Sequence, residues 1–128
     1  MPAERIVVVE DDADMGKALS RLLGAAGFSV SWFGSAEALL ESGAAKDSAC
    51  LVVDIHLPGI SGLELRRRLV EAGSRARVIF ITAYEDDQIR EAAIRSGADG
   101  FFTKPFRGRQ LIDVLRSVLR AHPAESAS

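Results

Sequence analysis

Five short strand-like runs, separated by stretches with helical periodicity, leave this chain very few ways to fold. Ile6-Val7-Val8-Val9, Leu51-Val52-Val53 and Val78-Ile79-Phe80-Ile81 are apolar without alternation. Strands read that way when both of their faces are buried. Between the first two, Met15, Ala18, Leu19, Leu22, Leu23 and Ala26 recur at i, i+3, i+4 spacing. Strand and helix alternate throughout, which calls for a parallel sheet with helices on its faces.

The expected elements follow from the punctuation. The first strand is Arg5 to Val9, and the first helix runs from near Asp12 or Asp14 to Ala26, ended by Gly27. Phe28 to Phe33 mixes Ser29 and Ser31 with apolar residues, as an edge strand does. Ser35 is the expected N-cap of a short helix, Ala36 to Glu41, and Ser42 to Asp47 is read as a loop. The third strand is Ala49 to Val53, followed by a loop from Ile55 to Ser61 and a helix to about Ala72. Arg66, Arg67 and Arg68 on that helix read as a solvated face. The fourth strand is Arg77 to Ile81. The fourth helix, about Asp86 to Ser96, has a thin apolar face of Ile89, Ala92 and Ala93. The fifth strand is Asp99 to Thr103 and the fifth helix about Arg107 to Arg120. Phe28, Phe33, Phe80 and Phe102 are expected in the core. Residues 1–121 form one domain, and residues 122–128, with His122, read as a flexible tail or the start of a linker.

Composition narrows the class. A net charge of −2 and a pI near 5.7 exclude an electrostatic nucleic-acid binder. No apolar run is long enough to span a bilayer, and no signal-peptide pattern opens the chain, so a cytoplasmic location is expected. The single cysteine, Cys50, reads as a small buried apolar filler.

The chemistry lies at the strand ends. Val9 runs into Glu10-Asp11-Asp12, and Val53 into Asp54. Open α/β sheets bind ligands outside the carboxyl ends of their strands. Thr82 and Lys104 end two further strands, so parallel strands would bring all of these to one edge. Glu10, Asp11 and Asp54 carry three negative charges against one positive charge on Lys104. Two like charges ~4 Å apart repel by about 4 kcal/mol at an effective dielectric of roughly 20. Such a cluster invites a divalent cation, and an all-oxygen ligand set with no thiolate nearby favours Mg2+ or Mn2+ over zinc. The competing explanation, separate helix caps and solvated loop acids, suits Asp12 and Asp14.

These residues resemble the receiver domain of bacterial two-component response regulators over nearly the whole chain. The matching motifs are Val9-Glu10-Asp11-Asp12, Val53-Asp54-Ile55-His56-Leu57-Pro58-Gly59-Ile60-Ser61-Gly62, Ile81-Thr82-Ala83, and Gly97-Ala98-Asp99-Gly100-Phe101-Phe102-Thr103-Lys104-Pro105-Phe106. Each motif is weak alone, but all four in order at family-like spacing are highly specific. The resemblance implies a doubly wound α/β fold with a five-stranded parallel sheet in the order 2-1-3-4-5, flavodoxin-like in arrangement. It implies that Asp54 accepts a phosphoryl group from a sensor histidine kinase or a histidine phosphotransfer protein. Asp11 would contact Mg2+ directly, Glu10 through water, and the His56 backbone carbonyl would complete the protein's share. Lys104 would pair with phosphoryl oxygens, Thr82 would move to bond them, and Lys104-Pro105 would be cis. Function would then be phosphorelay signalling, without enzymatic turnover. The output would be a changed surface on the fourth helix, fifth strand and fifth helix, also the surface for a homodimer.

Three positions depart from the commonest family pattern. Glu10 replaces a more frequent Asp. Phe101 stands where the switch aromatic is usually Tyr, so no phenol can bond during switching. His56 and Tyr84 occupy the variable positions that tune dephosphorylation. Two other classes compete. An aspartyl-phosphate phosphatase or phosphotransferase commonly carries a second acid two residues after the nucleophile, where this chain has His56. A flavodoxin-type module needs a Ser-, Thr- and Gly-rich phosphate loop after the first strand, where this chain has Glu10-Asp11-Asp12-Ala13-Asp14.

Overall fold

A computed structural model describes residues 3–121. The tail read from residues 122–128, with His122, lies outside the described residues. The strands are β1 (Arg5–Val9), β2 (Ser29–Phe33), β3 (Cys50–Asp54), β4 (Arg77–Thr82) and β5 (Gly100–Thr103). The helices are α1 (Ala13–Ala25), α2 (Ala36–Ser42), α3 (Gly62–Glu71), α4 (Asp87–Arg95) and α5 (Gly108–Ala121). All strand pairs are parallel, in the order β2-β1-β3-β4-β5. The expected order and fold class are therefore observed.

Side chains of a strand alternate between its faces. Here that alternation divides the core into two layers. Ile6, Val8, Cys50, Val52, Ile79 and Ile81 point to one face, where Leu19 and Leu23 of α1 and Leu111 and Leu115 of α5 cover them. Val7, Val9, Leu51, Val53, Val78 and Phe80 point to the other, under Leu39 of α2, Leu65 and Leu69 of α3 and Ala93 of α4. The three central strands are buried on both faces, which is why they lack alternation in the sequence. β2 lies at an edge, as its mixed composition predicts. Phe80 is fully buried, while Phe28, Phe33 and Phe102 are half-buried at the margins of the two layers.

Four helices begin on side-chain caps, which satisfy amides that have no partner within the helix. Asp12 accepts from the Asp14 and Met15 amides, Ser35 from Ala38, Ser61 from Glu64, and Asp86 from Gln88 and Ile89. Gly27, at φ 101°, takes the left-handed turn that releases the chain from α1 into β2.

Three expectations need correction. Residues 42–47 are not plain loop: Ala44–Asp47 forms a turn of 3-10 helix, held by burial of Ala45 and by the Ser48 hydroxyl donating to Ala45 O. Ala18 fits the helical spacing of α1 yet is exposed. Arg66 does not belong to a solvated face with Arg67 and Arg68. It is half-buried, donating to Ala76 O at 2.9 Å and to Ser96 O and Gly97 O at 3.4 Å. Arg67 and Arg68 stay exposed and pair with Glu64 on their own helix. Among the described residues, no helix is long and apolar enough to cross a membrane. Cys50 is fully buried, and burial pushes its thiol up, as expected of a filler.

Candidate functional site

Parallel register brings the strand ends together. Val9 pairs with Val53, so Glu10 and Asp54 emerge side by side from neighbouring central strands. Asp54 pairs with Ile81, one residue before Thr82, and Thr82 pairs with Thr103, one residue before Lys104. Residues far apart in the sequence thus share one edge of the sheet. Glu10, Asp11 and Asp54 can each offer a carboxylate oxygen within 4.8 Å of the others.

Lys104 closes the cluster. Its Nζ donates to Glu10 Oε1 at 2.9 Å and to Asp54 Oδ2 at 3.1 Å. The peptide bond that follows, Lys104-Pro105, is cis, as the resemblance implies. The other Glu10 oxygen accepts the Asp12 amide at 3.1 Å, and Asp54 Oδ1 accepts the His56 amide at 2.8 Å. Asp11 remains exposed, whereas Glu10 and Asp54 are buried. Burial pushes the Glu10 carboxyl up to about 7, against the bonds from Lys104 and the Asp12 amide that favour its ionised form. Burial also works against the Lys104 ammonium, but its bonds to Glu10 and Asp54 outweigh that and raise it above its ordinary value. One half-buried cation therefore faces three acids. The donors are all hard oxygens, so the site fits Mg2+ or Mn2+.

Thr82 is fully buried, with its Oγ1 accepting the Tyr84 amide at 3.2 Å. Phe101 is half-buried, and the Arg90 guanidinium lies over its ring at 5.3 Å. The exposed rings of His56 and Tyr84 meet edge-to-face, with centroids 4.7 Å apart and an interplanar angle of 85°. Each follows a site residue by two positions, His56 after Asp54 and Tyr84 after Thr82, so the ring contact joins the segments that follow β3 and β4.

Sequence reasoning missed two supporting groups, Trp32 and Glu37. Trp32 Nε1 donates to Glu10 O at 2.9 Å, fixing the backbone of the buried acid. Glu37 Oε2 accepts the Ile60 amide at 3.0 Å, tying α2 to the loop that follows Asp54. That bond holds the Glu37 carboxyl below its ordinary range. Neither contact has a local signal, because the partners are 22 and 23 residues apart.

A family model for the response regulator receiver domain matches residues 6–116. The chain is 38% identical to the response regulator protein TmoT of Ectopseudomonas mendocina, over 94% of this chain and 54% of TmoT. It is 36% identical to TodT of Pseudomonas putida, over 98% of this chain and 56% of TodT. It thus spans about half the length of these relatives. The crystal structure of FixJ-N is similar at a TM-score of 0.83 and 31% identity, covering 94% of this chain and 96% of that one. The cluster at the strand ends, the sheet order and the match over residues 6–116 agree, and the chain belongs to the response regulator receiver domain family.

Proposed function

We propose that this domain takes a phosphoryl group from a phosphohistidine of a sensor histidine kinase or a histidine phosphotransfer protein onto Asp54. The observation that carries the reading is the Lys104 ammonium bonded to both Glu10 and Asp54 inside a partly neutralised carboxylate cluster. An Asp54 oxygen attacks phosphorus, the P–N bond breaks, and the imidazole keeps the electron pair and takes up a proton. Phosphoryl transfer needs in-line positioning and charge neutralisation more than covalent machinery. Mg2+ or Mn2+, held by Glu10, Asp11, Asp54 and the His56 backbone carbonyl, would supply part of that neutralisation. Lys104 supplies the rest by turning from Asp54 Oδ2 to the new phosphoryl oxygens. The His56 amide, already on Asp54 Oδ1, holds the carboxylate in one orientation.

The Thr82 hydroxyl then bonds the phosphoryl group, and Phe101 follows it. The surface of α4, β5 and α5 changes as a result, and two phosphorylated copies can pair through it. The reaction is single-turnover, takes place in the cytoplasm and needs no contact between this domain and nucleic acid. The His56–Tyr84 ring pair narrows the approach of water to the acyl phosphate and prolongs its life. Intact-mass analysis after incubation with a small-molecule phosphodonor tests the core of this reading. One phosphoryl adduct is expected with Mg2+, and none in Asp54→Ala or in chelator. An adduct that persists in Asp54→Ala would overturn the assignment.

A further inference from the structure

A cavity also lies at the opposite end of the strands from the Asp54 cluster. This cavity, of about 480 Å3, opens between the C-terminal ends of α2 and α3 and the segments that lead into β3 and β4. Its wall is apolar, with Leu39 and Leu40 from α2, Ala45 from the 3-10 turn and Leu69 from α3. Two cations, Lys46 and Arg75, also line it, and none of the described lining residues is acidic. Residues Ser74 to Ala76 form a wall shared with a smaller cavity of about 300 Å3. Arg66, Arg75, Arg77 and Asp99 are the charged residues that line it. The two charged residues that line the apolar cleft, Lys46 and Arg75, are both cations.

We infer that this cleft binds a small amphipathic carboxylate, its apolar body against Leu39, Leu40 and Leu69 and its carboxylate between Lys46 and Arg75. Pockets of roughly 300–1,000 Å3 with apolar walls and a few convergent polar groups are the usual form of small-molecule sites. An arginine fork matches a carboxylate with two parallel bonds, and the lysine adds a point charge. A neutral apolar molecule would leave both cations without a counter-charge, and a highly charged one would forfeit the apolar wall. The site shares no residue with the Asp54 cluster, so loss of the Asp54 carboxylate removes none of its lining.

The test is a titration of the full chain with decanoate, followed by backbone amide NMR, with decanol as the uncharged control. Saturable shifts are expected at Leu39, Leu40, Lys46, Leu69 and Arg75, and they should persist in Asp54→Ala. Charge-assisted bonds contribute enough that Lys46→Ala with Arg75→Ala should weaken decanoate about tenfold and leave decanol unchanged. Ala72→Trp, a change at an exposed position on the lining, should block both ligands in a protein that melts like wild type. Equal affinity for decanoate and decanol, or indifference to loss of both cations, would overturn the proposal. So would a dimer through this face that Ala72→Trp dissolves, because the occupant would then be a second copy.

Discussion

Replacing Glu10 by Gln should stabilise the metal-free domain, and the gain should depend on pH. Glu10 is fully buried, and its carboxyl is raised from 4.5 to about 7. A raised value means that the folded state holds this proton more tightly than the unfolded chain does. The folded state is therefore unpenalised below about pH 4.5. Stability is lost progressively as pH rises through the interval up to about 7, and the loss is complete above it. At 1.36 kcal/mol per unit, ionised Glu10 costs the metal-free fold about 3 kcal/mol near neutral pH. That cost is already net of the attraction to Lys104, whose own raised value acts only at far higher pH. A Gln amide, like the protonated carboxyl, removes the buried charge and keeps one carbonyl oxygen, which serves either the Asp12 amide or Lys104 but not both. In chelator, Glu10→Gln should then match wild type near pH 4.5 and exceed it by about 3 kcal/mol near pH 8. For a domain of this size that is a melting-temperature difference of roughly 10 °C. Saturating Mg2+ should narrow the gap, because a ligand of the native state alone adds about 2.7 kcal/mol at ~100 times its Kd, and wild type binds it better. Urea or thermal melts in chelator across about pH 4.5 to 8 are the assay. A difference that stays flat with pH, or a Gln variant less stable than wild type near pH 8, would refute the reasoning.

Tyr84→Ala should shorten the lifetime of phosphorylated Asp54 and His56→Ala should shorten it or leave it unchanged, because their edge-to-face rings would restrict the angles open to water. Phosphate release from pre-phosphorylated protein measures this, and a longer lifetime in His56→Ala would instead favour a histidine that activates water. Gly16→Ala should destabilise the domain by about 1–3 kcal/mol, since the new methyl would overlap the Trp32 ring and disturb its bond to Glu10 O. Chemical denaturation reads that loss. Arg66→Met should free the end of α4 by removing the bonds to Ser96 O and Gly97 O, seen as faster amide exchange around residues 96–98 with little change in the α1 amides.

Much of this architecture was legible in one dimension. Doubly buried strands cannot alternate, so Ile6–Val9, Leu51–Val53 and Val78–Ile81 declared themselves central, and helical spacing in α1 declared a covering layer. The strand-end acids announced a site, because such positions in a parallel sheet converge on one edge. Short-range capping by Asp12 and Ser35 was readable because donor and acceptor lie within three residues. Motif resemblance supplied the strand order, which periodicity alone leaves open. Only the tertiary structure decided what depends on burial and on partners distant in the chain. Arg66 looked identical to Arg67 and Arg68 until the fold placed three carbonyls, from Ala76, Ser96 and Gly97, within its reach. Glu10 looked like one acid among several until packing under Trp32 and Lys104 removed it from water and raised its carboxyl. The sequence by itself therefore determined the layers, most of the elements and the edge where the candidate site lies, because these follow from local period and parallel strands. The tertiary structure alone decided the electrostatics of that edge and the cationic cleft opposite it, because desolvation and charge are sums over neighbours that the chain order does not name.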